Sequence, residues 1–391
     1  MSKDCYEIVT NYNCDLCCRF CSQGDFDPAL FKPFKTAIAE IYKAKKMGYK
    51  RLGFSGGETL LRPELPKLIS AAKHVGFKFI RLQTNAIRLA DMALAEELVR
   101  AGLTFCKFTF LSRKETVHDR LTGKKGSFIH SLAGLKNMRT LKTGLGVNIL
   151  INRINCRDLI PTLDFFLKQG VSSFVLIYPI YEGNMAKNAA EIGVSLGLAA
   201  SMAIKALDRF KALSLIREIK VLNIPPCLLG PYTDRAAGSY KFNTVVSTPG
   251  GEHWDLDESM KREKVRLKEC RACRLHKHCF GIDKRYFEFF PVSSVYTAKS
   301  TKRRQKSGQD KIHTHRGGAG VYLSSMEKCF MEILKIENPV YTSRALELAK
   351  GLPLCHDCRD GAGVISTGQI LIKKGLISRK FKGGKYLWFM R

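Results

Sequence analysis

Four cysteines lie within eight residues near the start of the chain, in the stretch "CDLCCRFC" from Cys14 to Cys21. Two ligand arrangements fit this spacing. Two Cys-x2-Cys pairs would place four thiolates on one zinc, but the adjacent Cys17 and Cys18 point in different directions and would strain a tetrahedral site. Cys14-x3-Cys18-x2-Cys21 instead supplies three thiolates to a cubane and leaves the fourth iron open to a chelating ligand. The rest of the sequence has to decide between the two.

The composition indicates the cellular compartment of the protein and the kinds of partner that it binds. The chain has 391 residues and 14 cysteines, with no apolar run of about 18 residues and no apolar segment after "MSKDCYEIV". We therefore expect a cytoplasmic protein without a membrane partner, whose thiols stay reduced and whose clustered cysteines bind metal. The formal net charge of +30 favours polyanionic partners, although a solvated basic surface explains it equally well.

Six short, β-branched apolar segments alternate with helical patterns from residue 5 to about residue 185. This alternation predicts an α/β fold, a partial (β/α)6 TIM-like barrel with a parallel sheet. In such folds the chemistry collects at the carboxyl ends of the strands, where "CDLCCRFC", "SGGE", "QTN" and "YEGN" all fall. We predict strands at 6–12, 49–56, 77–85, 104–112, 144–152 and 172–180, and helices at 35–48, 63–76, 90–102, 127–141, 157–170 and 196–212.

With these segments in this order, the sequence resembles the radical SAM superfamily over roughly residues 5–185. Cys14, Cys18 and Cys21 match its three-cysteine motif, and Phe20 is the aromatic residue before the last cysteine. "SGGE" falls where the family carries its Gly-Gly-Glu segment, and "HDRLTGKKGSF" looks like the segment after strand four. The resemblance therefore implies a [4Fe–4S] cluster on these cysteines, with S-adenosylmethionine (SAM) as its chelating ligand.

The resemblance also implies which residues contact SAM. In the family the Gly-Gly-Glu backbone and glutamate meet the methionine amine, so Gly56, Gly57 and Glu58 take these roles; glycine permits the close approach. Arg113 stands where relatives often carry an acidic residue. Further contacts to SAM therefore fall to polar residues at strand ends and to the aromatic residue of the motif, which are Gln83, Asn85, Asn148 and Phe20.

In the implied reaction, the cluster and SAM supply the electron transfer and the radical. A reduced cluster passes one electron to the sulfonium of SAM, which splits into methionine and a 5′-deoxyadenosyl radical that abstracts hydrogen from the substrate. The protein positions the groups and excludes water. We expect no catalytic side chain beyond the cluster ligands and a separate one-electron reductant as partner. Cys17 is left as a spare thiol, which either is packed or solvent-exposed or has a redox or substrate-proximal role.

A second cysteine cluster, "CRACRLHKHC", holds Cys270-x2-Cys273-x5-Cys279, and Cys227 supplies a fourth thiol from a distance. Four thiolates close either a zinc site or an iron–sulfur cluster, and the spacing alone does not separate them. After a radical SAM core the run resembles the SPASM and twitch extensions, which hold auxiliary [4Fe–4S] clusters. Asp283 stands where the full SPASM pattern has a cysteine, so a shortened, one-cluster version is expected.

The tail has a different pattern from the barrel. Three helical segments and a predicted hairpin with a Gly383-Gly384 turn resemble a winged helix. "LCHDC" holds Cys355-x2-Cys358, for which structural zinc and unligated thiols are equally open. Residues 297–391 carry 19 Lys and Arg against 7 Asp and Glu, a net charge of +12. The predicted divisions are 1–215 for the radical SAM core, 216–296 for the auxiliary-cluster region, 297–319 for a basic linker and 320–391 for the winged-helix-like domain.

These observations predict a radical SAM enzyme that modifies a macromolecule. A peptide or protein substrate ranks first, because shortened SPASM-like extensions often accompany peptide modification. An RNA substrate ranks second, because of the charge. A different class also remains open, an iron–sulfur redox sensor that binds DNA through its tail and shows no SAM chemistry. The sequence leaves the substrate, the bond formed and the oligomeric state open.

Overall fold

A computed structural model of the chain describes residues 4–237, 242–295, 325–349, 361–382 and 385–390. The chain divides into two compact units, Met1–Gly308 and Gln309–Arg391. Each unit has its own hydrophobic core. The predicted cluster cysteines at 14–21 and at 227–279 belong to the first unit.

The first unit is built on one ten-stranded sheet that curls into a half-barrel. Its strand order is β10-β9-β1-β2-β3-β4-β5-β6-β7-β8, and all pairs are parallel except β9 with β10. The strands are β1 Cys5–Val9, β2 Arg51–Ser55, β3 Phe79–Thr84, β4 Phe105–Thr109, β5 Gly144–Leu150, β6 Ser173–Ile177, β7 Ile219–Leu222, β8 Ala236–Ala237, β9 Thr244–Ser247 and β10 His253–Asp255. A separate two-stranded ladder joins β11 Lys264–Val265 to β12 Ile282–Asp283.

Helices follow most strands of the half-barrel. They are α1 Phe34–Lys46, α2 Leu65–His74, α3 Met92–Ala101, α4 Glu115–Thr122, α5 Ser127–Thr140, α6 Leu159–Lys168, α7 Gly183–Lys187, α8 Ala189–Ile192, α9 Leu196–Ala212, α10 Leu256–Arg262 and α11 Tyr286–Phe289. The six predicted strands and six predicted helices are each confirmed within a few residues, and the helix at 196–212 at both ends.

The core lies between the convex face of the sheet and its helices. Alternate strand residues such as Ile8, Phe54, Leu82 and Phe108 are fully buried there. The intervening residues face the inside of the half-barrel, which we call the lumen, because side chains alternate along a strand. Since β1 to β8 run in parallel, their carboxyl ends collect at one edge.

Four strands of the sheet were not predicted. β7 and β8 extend it beyond β6, and β9 and β10 extend it beyond β1. All four lie in the region 216–296, for which only a cysteine-rich extension was expected. They are two to four residues long, too short for period-two alternation to show. The barrel and the second cysteine region therefore share one sheet.

The second unit contains, within its described residues, three helices and a three-stranded antiparallel sheet of order β13-β15-β14. The predicted helices are confirmed as α12 Ser325–Ile336, α13 Thr342–Ala349 and α14 Gly361–Lys373. The strands are β13 Val340–Tyr341, β14 Ile377–Lys382 and β15 Lys385–Met390, and buried Trp388 packs in the core. The winged-helix assignment stays a prediction, and its Gly-Gly turn lies outside the described residues.

In the described part of the chain, none of the helices combines the length and apolar character needed to cross a bilayer.

Candidate functional site

The loop with the four clustered cysteines leaves β1 and lies against the end of β2. Gly57 N–H donates to Asn11 O at 2.9 Å, and Glu58 N–H donates to Asn13 O at 2.7 Å. An ideal Cβ on Gly57 would lie 2.2 Å from Asn13 O. Gly56 adopts φ +146°, and its Cβ would lie 2.3 Å from Asn11 O. The two glycines therefore let β2 approach the chain's own backbone, which fixes the start of the cysteine loop.

The Glu58 side chain is fully buried at the ends of β2 and β3. Its carboxylate accepts hydrogen bonds from Leu60 N–H at 3.0 Å, from the Thr84 hydroxyl at 2.7 Å and from Asn85 N–H at 2.7 Å. Burial raises the pKa of Glu58 to about 7, against the lowering effect of these three donors. Glu58 therefore ties two strand ends together, and its contact with the SAM amine stays a prediction.

Asn85 extends this connection to the cysteine loop. Its side-chain amide donates to Asp15 Oδ1 at 2.7 Å, and its Oδ1 accepts from Ile87 N–H at 3.0 Å. Asp15 lies between Cys14 and Cys18 in the sequence. The predicted residue Asn85 is thus at the site, in contact with the loop itself.

Gln83 and Asn148, two more predicted SAM contacts, lie on the lumen face. Gln83 is half-buried on β3, and Asn148 on β5 is 6% exposed. The Oδ1 atom of Asn148 is buried and has no hydrogen-bond partner in the described part of the chain. Because a buried acceptor normally has a partner, this oxygen suits a donor group of a ligand. Both residues remain candidates for SAM binding.

The segment "YEGN" holds the cysteine loop from the other side. Asn184 N–H donates to Cys21 O at 2.9 Å, and the Asn184 amide donates to Cys18 O at 3.1 Å. Arg19 also forms an ion pair with Glu191 on α8, with Nη1 2.7 Å from Oε1. The loop is therefore fixed by β2 and β3 at one end and by α7 and α8 at the other.

The segment after β4 contacts the cysteine loop on a third side. Arg19 N–H donates to Leu121 O at 2.9 Å. Gly123 has φ +74°, and an ideal Cβ there would lie 2.7 Å from Cys17 O. "CDLCCRFC", "SGGE", "QTN", "YEGN" and "HDRLTG" thus meet at the carboxyl edge of the sheet, where the sequence placed the mouth of the barrel.

The three predicted cluster thiols lie on this fixed loop. Burial raises the pKa of Cys14 to about 11 and raises the pKa of Cys18 and Cys21 as well; for Cys18 the neighbouring thiols add to the effect. Cluster ligands must be thiolates, and the positive charge of bound iron favours that form. A loop of three such thiols fits a cubane with one open iron. Cys17 is exposed beside them.

Two other predicted features have local explanations. Phe20 is half-buried and packs against the main core, so it also anchors the loop. Arg113, which departs from the family pattern, is paired with Asp158, with Nη2 3.5 Å from Oδ1. Arg113 therefore belongs to the junction of the β4 end with the segment before α6.

The second set of predicted ligands lines one pocket. Cys227, Cys270, Cys273 and Cys279 all border it, together with His276. Cys273 N–H donates to Cys270 O at 3.1 Å, and His276 Nδ1 lies 2.8 Å from the same carbonyl oxygen. Cys227, which lies 43 residues before Cys270 in the sequence, thus borders the same pocket as the three later cysteines, and their shared role as ligands stays a prediction. Cys355 and Cys358 lie outside the described residues.

Among the residues that the structure describes, no three Cys, His, Asp or Glu side chains are grouped to hold one metal ion. A cubane does not require such a group, because each thiolate binds a different iron atom.

The sequence alone did not identify the residues that hold the cysteine loop. These are Asn11, Asn13, Asp15, Thr84, Asn184, Asn188 and Glu191. A usable signal was the concentration of asparagines just after strands one, three and six, since asparagine side chains bind backbone groups in turns. The pairing of Arg19 with Glu191 spans 172 residues and leaves no local pattern.

Comparison with known proteins agrees with this geometry. Residues 8–166 match the radical SAM superfamily. Residues 8–166 therefore form a radical SAM superfamily domain. An Fe-coproporphyrin III synthase of Methanosarcina barkeri is 30% identical over 138 residues, which cover 35% of this chain and 34% of that protein. The match thus spans about a third of the length of this curated relative.

Solved structures share the fold at low identity. Streptococcus suis SuiB bound to the precursor peptide SuiA has a TM-score of 0.57 and 15% identity, over 75% of this chain and 74% of that one. SuiB bound to SAM has a TM-score of 0.58 and 16% identity, over 75% and 76%. anSMEcpe with bound SAM and the Kp18Cys peptide has a TM-score of 0.57 and 14% identity, over 77% and 96%.

Proposed function

We propose that the protein reductively cleaves SAM at a [4Fe–4S] cluster held by Cys14, Cys18 and Cys21. The observation that carries this proposal is the cysteine loop fixed at the carboxyl edge of the half-barrel by hydrogen bonds from four separate segments. When bound, the cluster and SAM together supply the radical that starts the reaction.

The chain's own residues position these groups. Gly56 and Gly57 bring β2 against the start of the loop, and the buried Glu58 carboxylate joins the ends of β2 and β3. Asn85 ties this junction to Asp15 inside the three-cysteine motif. Hydrogen bonds that lock the supporting residues keep the reacting geometry within the tolerance that radical transfer needs.

Anaerobic reconstitution, followed by dithionite and SAM, tests the proposal. We expect 5′-deoxyadenosine from the intact chain and only background from Cys18→Ala. Cys17→Ala removes the adjacent thiol and is the matched control, which retains cleavage. Cluster-loaded protein that forms no 5′-deoxyadenosine would overturn the enzyme interpretation and leave the redox-sensor hypothesis.

An auxiliary cluster on Cys227, Cys270, Cys273 and Cys279 is the second part of the proposal. Its support is that all four thiols border one pocket. Two cubanes correspond to about eight iron atoms per chain. Cys270→Ala is expected to lower the iron content to about four, while Cys156→Ala, which removes a buried cysteine outside both clusters, leaves it unchanged. Stoichiometric zinc in the intact chain would contradict this assignment.

A peptide or protein is the favoured substrate. SuiB and anSMEcpe, which share the fold, were both solved with bound peptides. Hydrogen abstraction transfers a substrate hydrogen to 5′-deoxyadenosine, so an extract of cells grown in D₂O is a direct probe. We expect deuterated 5′-deoxyadenosine from that extract, its loss after protease treatment and its persistence after RNase treatment. If RNase treatment abolished the deuterated 5′-deoxyadenosine and protease treatment did not, the substrate would be an RNA instead of a peptide.

RNA is the second candidate because of the hairpin in the second unit. β14 carries Arg379 and Lys380, and Arg379 stacks over the Tyr386 ring with a centroid distance of 4.5 Å. Phe381 on the same strand is 66% exposed. Basic and aromatic side chains together suit single-stranded nucleic acid. RNA affinity of the full chain that does not change with salt would argue against phosphate contacts.

A further inference from the structure

The lumen face of the half-barrel carries charged residues that lie in register. Strand pairing places Glu7 beside Gly53 and Gly53 beside Arg81. One pleat nearer the carboxyl edge, Lys107 lies beside Gly146. Side chains of paired residues in parallel strands share a face, so these charges all point into the lumen.

The next row contains Asn148, Val175 and Lys220, which pair in that order across β5, β6 and β7. Asn148 is the residue with the buried, unpartnered Oδ1 atom. Lys220 is exposed and Val175 half-buried, so the lumen is open at this level. The row lies between Lys107 and the carboxyl edge that holds the cysteine loop.

The lumen cations outnumber the carboxylates. Arg81 is paired with Glu7, and Arg51 is paired with Asp4 at 3.4 Å. Lys107 and Lys220 are the other two cations, and neither has a hydrogen bond or ion pair among the residues that the structure describes. Four cations against two carboxylates leave an excess of +2.

Lys107 is the cation that is hardest to explain by folding alone. Its side chain is 8% exposed and passes over Gly146, where an ideal Cβ would lie 3.1 Å from Lys107 Cδ. Burial, together with the charges of Arg81, Lys220 and Arg51, lowers the pKa of Lys107 to about 7. A buried charge without a counter-ion is costly, so its presence indicates a function.

Small residues let the larger side chains lie across the lumen. A closed (β/α)8 barrel fills its interior with layers of branched apolar side chains. Here Gly53 on β2, Gly146 on β5 and Ser173 on β6 occupy lumen positions. The Glu7 carboxylate uses the room at Gly53, where an ideal Cβ would lie 1.9 Å from Glu7 Oε2. The lumen is thus lined by charged groups together with the rings of Phe79 and Phe105, whose centroids lie 5.5 Å apart, instead of layers of branched apolar side chains.

We propose that the lumen contains an oxyanion site in which Lys107 and Lys220, backed by Arg81 and Arg51, bind a carboxylate or phosphate group of the molecule that is modified. This inference rests on the proposed function, since it assigns the site to the substrate of the radical reaction. The anion gives Lys107 the counter-ion it lacks and offsets the excess positive charge. Asn148, the predicted SAM contact, lies on the side of this site nearer the cysteine loop.

Calorimetric titration of the full chain with small anions tests the site without relying on turnover. The probes are tricarballylate for carboxylates and pyrophosphate for phosphates, at constant ionic strength. We expect at least one probe to bind, and Lys107→Met to weaken that binding about tenfold or more, as for a hydrogen bond to a charged group. Lys220→Met, at an exposed position, weakens it about threefold.

The controls separate charge from folding. Lys136→Met removes an exposed lysine from the outer helix α5 and leaves binding unchanged. Lys107→Arg keeps the charge and restores binding that Lys107→Met loses. The better-bound probe identifies the ligand group as carboxylate or phosphate. Binding of neither probe, or equal binding by the intact chain and Lys107→Met, would overturn the site. Anion binding without SAM cleavage would instead refute the proposed function.

Discussion

The side-chain amide of Asn85 donates a 2.7 Å hydrogen bond to the carboxylate of Asp15. This contact joins the end of β3 to the residue that follows the first cluster cysteine. The backbone N–H of Asn85 donates at the same distance to the buried Glu58 carboxylate. One residue therefore connects the three-cysteine motif with the Gly-Gly-Glu segment, whose Glu58 lies 43 residues after Asp15.

Asn85→Ala is expected to loosen the cysteine loop and lower the iron retained per chain. The change removes the amide that holds Asp15 but keeps the backbone bond to Glu58, so the fold remains. A hydrogen bond to a charged group contributes about 1.5–3 kcal/mol. Iron content after gel filtration measures the effect. Asn137→Ala is the control, because Asn137 on α5 also donates two hydrogen bonds, to Leu89 O at 2.8 Å and to Ala90 O at 3.0 Å. Equal iron in both variants would contradict the tether.

Gly57→Ala is expected to destabilise the chain even without cofactors. The new methyl would meet Asn13 O at 2.2 Å and Tyr12 O at 2.5 Å, and both are backbone atoms that cannot rotate away. Overpacking of this kind costs about 1–3 kcal/mol. Thermal unfolding of the metal-free chain measures it.

The control for Gly57→Ala is Gly250→Ala, since a Cβ on Gly250 meets nothing closer than Thr248 Oγ1 at 3.9 Å. We expect its unfolding temperature to stay close to that of the parent chain. A metal-free Gly57→Ala as stable as Gly250→Ala would show that the glycine serves only the ligand.

The barrel was predictable because its main strands and helices are long enough to show a regular repeat of apolar residues. The chemistry-bearing segments were also predictable, since parallel strands deliver their carboxyl ends to one edge. The packing of the two glycines against the backbone of Asn11 and Asn13 was not predictable, and their contact with a ligand stays a prediction. Contacts such as Arg19 with Glu191 join distant segments, and a single sequence contains no local signal for them.

The contacts among the charged residues of the lumen were also not predictable from a single sequence. Lys107 lies in a segment that reads as an apolar strand, "TFCKFTFLS", and gives no hint that its neighbours are Arg81 and Lys220. Strand order and register decide which charges meet, and both are set by the whole sheet. A lysine inside a predicted strand is only a weak indication of a functional site. It becomes informative once the structure shows which face of the sheet it lies on.

His118 is expected to make the metal-free chain lose stability in mild acid. The ring is 1% exposed between Phe110 and Phe128, and its Nδ1 accepts from Leu111 N–H at 3.3 Å. Burial lowers the pKa of His118 to about 4 from an ordinary 6.5. Between these values the unfolded chain binds more protons, so stability falls as the pH drops from 6.5 to 4, by up to about 3 kcal/mol.

His118→Phe removes the titrating group and is expected to flatten this part of the stability profile. Urea unfolding of the metal-free chain between pH 4 and 7.5 measures it. His130→Phe is the matched control, because His130 is exposed on α5 and should leave the profile unchanged. A His118→Phe profile as steep as that of the parent would mean that other groups cause the acid loss.

Lys107→Met is expected to stabilise the fold while it weakens anion binding. The lowered pKa of Lys107, about 7, means that the unfolded chain holds this proton more tightly, so the charged lysine lowers stability below pH 7. Stability contributed by this residue returns as the pH rises from 7 towards 10.5. Methionine has a similar length and no charge, so at pH 7 or below we expect a gain of about 2 kcal/mol or more. Urea unfolding at pH 6.5 and pH 9 checks both the sign and the pH window, since the advantage of methionine must shrink at the higher pH.

A residue kept for packing would behave in the opposite way, with Lys107→Met less stable than the parent chain at both pH values. Stabilisation together with lost anion binding is the combination that a side chain retained for ligand recognition produces, because natural sites keep costly groups where function requires them.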